Sequence, residues 1–236
     1  MSLSAYAPLV PTVLLVRHAQ ASFGAPDYDV LSPRGREQAD AVARELTGRQ
    51  LDVERLLTGS LRRQQETAEP VAALLRGPVL VDPRWNEYEM DAILATHSTT
   101  SARASIQPGS HQRPVSSAEF QDLLEAAMSG WIEAAADGPA AETWPSFAAR
   151  VRAALGDAAE GLPAGSTALV FTSGGVVAAV CAALMELPPP ALIMFNRVSV
   201  NTGITKIVTG RRGITLVSFN EHAHLEHSRP SLVTYR

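Results

Sequence analysis

The chain of 236 residues contains a single cysteine, Cys181, so it cannot form an intramolecular disulfide. Cys181 lies in the apolar run VVAAVCAAL, which predicts a buried and unreactive thiol. No apolar stretch reaches the roughly 20 residues of a membrane-spanning helix. The N-terminus lacks the basic residues of a signal peptide, and its apolar part is needed for a strand. We therefore expect a cytoplasmic protein with no membrane partner.

The chain also has no excess of basic residues. It contains 20 Lys and Arg residues and 24 Asp and Glu residues, which gives a net charge of −4. This balance argues against nucleic-acid binding and against attachment to a membrane surface. The sequence has no Walker-type or dinucleotide-binding glycine motif and no internal repeat, and it gives no indication of oligomeric state. With 46% hydrophobic and 19% charged residues, its composition is typical of a globular domain.

A short apolar run, Val13 to Val16, ends abruptly in Arg17 and His18. Pro11 before it and the β-branched residues inside it favour a buried strand over a core helix. Ligands of open α/β sheets bind beyond the carboxyl ends of strands, where Arg17 and His18 would lie. Arginine suits phosphate, and histidine can act as a base or nucleophile. The pattern suggests a phosphohistidine-forming site, although an exposed arginine beside a half-buried histidine explains this dipeptide equally well.

Strands alternate with helices along most of the chain, which predicts a doubly wound α/β fold with a mostly parallel sheet and helices on both faces. The predicted strands are residues 13–16, 55–58, 78–82, 167–172, 204–208 and 214–219. A Gly-Arg-Arg-Gly turn joins the last two strands as a hairpin, so we expect one antiparallel strand.

The first two predicted helices carry end signals. Ser32 and Pro33 are typical of an N-cap and a first helical position, and Gly48 closes that helix. The second helix follows Gly59 and contains Pro70, so we expect a kink or break one turn before the proline, near residue 66. The predicted apolar positions are Ala39, Val42, Ala43 and Leu46 in the first helix and Thr67, Val71, Leu74 and Leu75 in the second.

The alternation is interrupted at residues 90–164. Residues 97–117 are rich in Ser, Thr, Pro and Gly and predict a long loop, whereas residues 120–136 and 144–159 predict helices. We expect one domain over residues 1–236, with residues 90–164 as a helical cap insertion beside the site.

Two further stretches at strand ends suggest anion binding. Arg62 and Arg63 stand in the first turn of a helix, where the dipole disfavours cations unless an anion is near; one of the two is expected to face solvent. Ser173, Gly174 and Gly175 turn a strand into a helix, and glycines there let backbone N–H groups approach an anion closely.

Three histidines near the carboxyl end, His222, His224 and His227, could bind a metal. No cysteine or other evident ligand stands nearby, so we favour a solvated tail. We expect neither a metal nor a cofactor.

Five segments occur in the order of a known family. They are LVRHAQ, LSPRGREQA, GSLRRQQETA, WNEY and the late strand-Gly-Gly-helix. In these segments the chain resembles the histidine phosphatase superfamily, also called the phosphoglycerate mutase-like family. The similarity covers most of the chain outside the cap.

The resemblance implies a role for each matching residue. His18 would be the nucleophile that becomes phosphorylated, Arg17 its phosphate-binding neighbour, and Glu87 the acid that protonates the leaving oxygen. The family's second arginine lies four residues before the Thr of a Thr-Ala pair, which selects Arg63 over Arg62. The loop positions whose backbone N–H groups would face the substrate are Ser22, Phe23 and Gly24.

The chain departs from the family pattern in two places. The usual Arg-His-Gly is Arg-His-Ala, a mild change, and Ser173 replaces the family's second histidine. We expect Ser173 and Gly174 to bind phosphate with weaker, neutral hydrogen bonds, and a Ser173→His change to keep or raise activity. Alternatively, His222 or His224 could fold back into the space left by the missing imidazole.

The sequence therefore predicts a phosphomonoester hydrolase that acts through a phosphohistidine intermediate on a small phosphorylated metabolite. The arginines would supply the positive charge, so the enzyme would be independent of metals. Two alternatives stay open. One is a catalytically weak or inactive phosphate-binding protein, because of Ser173, and the other is a phosphoglycerate-type mutase. The cap has no motif that identifies the substrate.

Overall fold

The computed structural model describes residues 10–22, 27–97, 117–211, 213–227 and 229–235. Its strands are β1 (Thr12–Arg17), β2 (Asp52–Thr58), β3 (Leu80–Val81), β4 (Ser166–Thr172), β5 (Ile204–Gly210) and β6 (Gly213–Glu221). They form one sheet of six strands in the order β3-β2-β4-β1-β5-β6. Strands β1 to β4 pair in parallel, and β5 is antiparallel to both β1 and β6. The predicted fold class, with its one antiparallel strand, is confirmed.

Helices connect these strands. They are α1 (Pro33–Gly48), α2 (Arg62–Leu75), α3 (Met90–His97), α4 (Ser117–Glu133), α5 (Trp144–Ala159), α6 (Gly174–Leu184), α7 (Ala191–Val198) and α8 (Ala223–Glu226). Within the described ranges, no helix is both long enough and apolar enough to cross a membrane. The predicted loop at residues 97–117 lies almost entirely outside the described residues.

Side chains on β1 alternate between two apolar cores. Val13 and Leu15 pack on one face with residues of α5 and α6, whereas Leu14 and Val16 pack on the other with residues of α1 and α2. Because side chains of a strand point alternately to opposite faces, helices must cover both sides of a strand this apolar. The central strands β1 and β4 are thereby held rigidly, with their carboxyl ends at one edge of the sheet.

Helix α1 matches its prediction, but α2 differs in two respects. Ser32 Oγ caps α1 by accepting from Gly35 N–H at 3.0 Å, and the four predicted apolar positions are buried. Helix α2 runs through Pro70 without the break that was one of the two expected outcomes, because burial of its inner face outweighs one lost backbone bond; the kink stays a prediction. Leu74 is 53% exposed, so the predicted stripe was wrong there. The inner face is made by Gln64, Thr67, Ala68 and Val71.

The helices of the predicted cap pack on one aromatic residue beside the sheet edge. Tyr88 lies 5.4 Å from Trp131 of α4 and 5.5 Å from Phe147 of α5, measured between ring centroids. Helix α5 begins and ends where the sequence predicted. Because Tyr88 directly follows Glu87, this aromatic cluster fixes the backbone that carries the predicted acid.

Candidate active site

His18 lies immediately beyond the carboxyl end of β1 and is only 7% exposed. Its backbone N–H donates to the Thr172 carbonyl at 2.8 Å, and its carbonyl accepts from Asn201 Nδ2 at 3.0 Å. Its ring Nδ1 lies 2.8 Å from the carbonyl of Ala19. A carbonyl can only accept, so Nδ1 carries the hydrogen and Nε2 keeps a lone pair. The imidazole is thus set up as a nucleophile at Nε2.

Burial lowers the pKa of His18 well below its usual value, and the positive charges of Arg63 and Arg17 lower that pKa further. The bond to Ala19 opposes this shift. The neutral imidazole is therefore the form present at neutral pH.

Arg17, the last residue of β1, is oriented by backbone carbonyls from the carboxyl-terminal part of the chain. Its Nη1 donates to the carbonyls of Ser199 and Tyr235, the latter at 2.9 Å. Both acceptors are backbone carbonyls, which every residue has, so no sequence pattern could identify these contacts.

The structure distinguishes Arg63 from Arg62. The Arg63 side chain is 11% exposed, pairs with Asp29 at 2.5 Å, and acts electrostatically on the ionisable group of His18. The Arg62 side chain is 59% exposed and pairs with Asp27 at 3.0 Å and with Glu66 at 2.8 Å. Arg63 therefore faces the site and Arg62 faces solvent.

Glu87 lies at the same edge of the sheet and is half-buried as a whole residue. Its Oε2 accepts from Gly175 N–H at 3.0 Å, and Oε1 is buried without a hydrogen-bond partner among the described residues. Burial raises the pKa of Glu87, although Gly175 N–H, Arg63 and Arg17 oppose that rise. A Cβ at Gly175 would lie 2.3 Å from Glu87 Oε1, so glycine is required there. A raised pKa suits a general acid.

Ser173 and Gly174 form the junction between β4 and α6. Ser173 is fully buried, and its Oγ accepts from Gln64 Nε2 at 2.8 Å. A Cβ at Gly174 would lie 2.5 Å from Asn196 Oδ1 and 3.2 Å from Arg17 Nε, so the first turn of α6 lies directly beside Arg17. Sequence analysis did not find Gln64, because nothing in its local pattern reveals a contact with a residue 109 positions away.

Of the three predicted loop donors, the structure describes only Ser22. Ser22 N–H donates to the Val30 carbonyl at 2.8 Å within the loop, so it is engaged in the structure described, and its role as a substrate donor stays a prediction. The bridge between Ala21 and Leu31 closes the base of this loop and engages that N–H. Phe23 and Gly24 lie outside the described residues, and their role stays a prediction.

The tail histidines are occupied by local contacts. His224 lies 3.1 Å from Thr202 Oγ1, and burial lowers its pKa to about 4, so the expectation of a solvated tail was wrong at this residue. His222 Nε2 lies 3.3 Å from Glu226, and His227 is exposed. The described residues contain no group of three or more His, Cys, Asp or Glu side chains that could hold a metal.

Comparisons with known proteins agree with this architecture. A curated protein of Yersinia enterocolitica named "probable phosphoglycerate mutase GpmB" is 28% identical over 185 residues, which cover 76% of this chain and 77% of that protein. The structure of mycobacterial glucosyl-3-phosphoglycerate phosphatase with inorganic phosphate aligns with a TM-score of 0.61 and 24% identity, covering 90% of this chain and 98% of that one. Phosphoserine phosphatase of Entamoeba histolytica in complex with 3-phosphoglyceric acid aligns with a TM-score of 0.58 and 20% identity, covering 91% and 99%.

The family comparison is decisive for the classification. The family model described as histidine phosphatase superfamily (branch 1) matches residues 13–115 and 111–222, most of the chain. The resemblance inferred from the sequence is confirmed: the chain belongs to the histidine phosphatase superfamily.

Proposed function

We propose that this histidine phosphatase hydrolyses phosphomonoesters through a phosphohistidine on His18. One observation carries the proposal: a buried, neutral imidazole presents Nε2 where Arg17 and Arg63 both act on it electrostatically. Two guanidinium groups match the charge of a phosphoryl dianion, and their fork geometry suits its oxygens. A histidine held for structure alone has no need of two cations beside it.

In the first step, His18 Nε2 attacks phosphorus in line with the leaving oxygen. Arg17 and Arg63 stabilise the charge on the equatorial oxygens, aided by the Ser173 hydroxyl and by N–H groups at the start of α6. The phosphorus–oxygen bond breaks as Glu87 transfers its proton to the leaving oxygen. The products are an alcohol and a phosphohistidine.

In the second step, water attacks the phosphohistidine. Glu87, now a carboxylate, accepts a proton from this water, because the acid of one step is the base of the reverse chemistry. The phosphorus–nitrogen bond breaks, inorganic phosphate leaves, and His18 regains its lone pair at Nε2. Glu87 ends protonated, as it began.

The proposed substrate is a small phosphorylated metabolite in the cytoplasm. The names and bound molecules of the relatives support this class, since they include phosphoglycerate and glucosyl-phosphoglycerate chemistry. In the proposed single domain, the cap of residues 90–164 would select the part of the substrate beyond the phosphate. Helices α4 and α5 of this cap pack on Tyr88, next to the acid, through Trp131 and Phe147.

Turnover of an aryl phosphate in the presence of EDTA tests the proposal. We expect hydrolysis by the wild type and a loss of at least about a thousandfold in His18→Ala, since the covalent route is then closed. His227→Ala, which changes an exposed histidine, is the matched control and keeps wild-type turnover. Quenching in alkaline detergent after labelled substrate should trap phosphate on the wild type alone, because the phosphorus–nitrogen bond of phosphohistidine survives base but is hydrolysed in acid. Equal turnover by wild type and His18→Ala would refute the mechanism.

A phosphoglycerate-type mutase is the second candidate, favoured by the names of the curated relatives. A mutase returns the phosphoryl group to a second hydroxyl of the same substrate before water reaches it. Incubation with 3-phosphoglycerate and a catalytic amount of bisphosphoglycerate distinguishes the two. The hydrolase releases inorganic phosphate, whereas the mutase gives 2-phosphoglycerate. Binding of phosphate without either product would indicate the inactive alternative.

A further inference from the structure

Gln64 of α2 is a fully buried amide that the proposed reaction has not used. Its Nε2 lies 3.0 Å from the Trp85 carbonyl and 2.8 Å from Ser173 Oγ. Because the Trp85 carbonyl can only accept, it fixes the orientation of the amide, with nitrogen rather than oxygen toward Ser173. Both hydrogens of the amide nitrogen are thereby used, one on each acceptor.

The Gln64 amide needs the space beside Gly59, and its oxygen is buried at an energetic cost. A Cβ at Gly59 would lie 2.0 Å from Gln64 Oε1, so any larger residue at Gly59 would displace the amide. Oε1 is buried and has no hydrogen-bond partner among the described residues. A buried acceptor without a partner is unfavourable, and such groups occur where function requires them. We take the contact with Ser173 as the function that keeps this amide in place.

The amide determines what the Ser173 hydroxyl can do. Ser173 Oγ accepts from Gln64, so its own hydrogen remains a donor. Ser173 is fully buried, and the described part of the chain gives it no further hydrogen-bond partner. Gly174, the next residue, lies against the Arg17 guanidinium. A phosphoryl oxygen held by Arg17 would provide the missing acceptor.

We propose that Gln64 is a positioning residue that directs the Ser173 hydroxyl as a donor to the phosphoryl group. This inference rests on the proposed function, because it assigns a role within the same site. Without the amide, the hydroxyl rotates and its hydrogen is no longer aimed at the phosphate. Gln64 reaches the phosphoryl group through Ser173, which predicts that the effects of the two substitutions on kcat are not additive.

A double-mutant cycle tests this coupling. Gln64→Leu and Ser173→Ala should each lower kcat for an aryl phosphate about two- to tenfold, the worth of one neutral hydrogen bond. The double variant should be no slower than the slower single variant. Gln65→Leu is the matched control, since the Gln65 amide makes only an exposed 3.3 Å bond to the Ser60 carbonyl; its kcat stays at the wild-type value. Multiplying losses, or a wild-type kcat in Gln64→Leu, would overturn the proposal.

The affinity for inorganic phosphate, measured by calorimetry on the same proteins, separates this inference from the proposed function. If the wild type lacks turnover, the hydrolase proposal fails, yet a non-additive loss of phosphate affinity still supports the role of Gln64. Should Gln64→Leu fail to fold, Gln64→Met replaces it, because methionine has similar length without the amide. Failure of both to fold would show that Gln64 is a structural residue only.

Discussion

Replacement of Arg63 by alanine tests the central electrostatic feature of the site, with Arg62→Ala as its adjacent control. The Arg63 side chain is 11% exposed and acts on both His18 and Glu87, whereas that of Arg62 is 59% exposed. Both residues start α2, so both variants remove one cation from the same helical turn. A difference between them therefore reports on the site and not on the helix.

The expected magnitudes follow from these environments. A hydrogen bond to a charged group contributes about 1.5–3 kcal/mol, so Arg63→Ala should lower kcat/KM about 10- to 150-fold. Arg62 makes exposed ion pairs, which contribute about 0–1 kcal/mol to stability, and its removal should change kcat/KM by less than about twofold. Asp29 loses its ion pair in Arg63→Ala but keeps the bond from Arg62 N–H at 2.7 Å and is partly solvated, so the protein should stay folded.

The pH dependence gives a second, independent readout. The charge of Arg63 lowers the pKa of His18 and opposes the rise in the pKa of Glu87. Without that charge both pKa values rise. His18 must be neutral, so the acid limb of kcat/KM moves to higher pH; Glu87 must be protonated, so the alkaline limb also moves to higher pH. Both limbs shift to higher pH, so the whole pH profile of kcat/KM moves in that direction.

The assay is the hydrolysis of an alkyl phosphate, whose leaving group needs the proton of Glu87, from acid to alkaline pH, with inorganic phosphate as a competitive inhibitor and a thermal melt as the folding control. Arg63→Ala should weaken inhibition by phosphate, and Arg62→Ala should not. Comparable losses in the two variants, or limbs that move in opposite directions, would refute the reasoning.

Four further substitutions test other positions. Glu87→Gln removes the proton donor, so kcat/KM should fall about 10²–10⁴-fold for an alkyl phosphate but far less for p-nitrophenyl phosphate, whose leaving group needs no proton. Gly175→Ala places a Cβ 2.3 Å from Glu87 Oε1 and should lower kcat at least about tenfold. Gly156→Ala, with no atom within 4 Å, should instead raise the free energy of unfolding in urea by about 0.5–1 kcal/mol. Ser173→His should lower kcat/KM, contrary to the expectation from sequence, because Gln64 occupies the adjacent space; adding Gln64→Ala should recover activity.

Much of the fold could be predicted because its elements carry local signals. The apolar run of β1 ends at Arg17 and His18, and Ser32 with Pro33 marks the start of α1. The prediction was wrong where tertiary contacts decide. Strand β3 spans only Leu80–Val81 and not the predicted residues 78–82, because it is an edge strand that pairs only with the end of β2. Helix α2 continues through Pro70, because packing of its inner face against the sheet outweighs the lost backbone bond.

The site could be predicted to the level of which strand ends meet, because parallel strands bring their carboxyl ends to one edge. Its finer geometry depends on partners far apart in sequence. The carbonyls of Ser199 and Tyr235 orient Arg17, and the Gln64 amide reaches Ser173 across the site. Backbone carbonyls leave no trace in a side-chain pattern, so no motif could have revealed them.

Burial, more than the identity of the charged residues, assigns the acid and the nucleophile in this site. Desolvation lowers the pKa of His18 and raises that of Glu87, so one physical cause leaves the imidazole neutral and favours the protonated carboxyl. Arg17 and Arg63 strengthen the first shift and oppose the second. The arginines alone would thus keep Glu87 ionised and remove the proton donor. The depth of Glu87, fixed by the aromatic packing of Tyr88, must therefore outweigh their charge for the proposed chemistry to work.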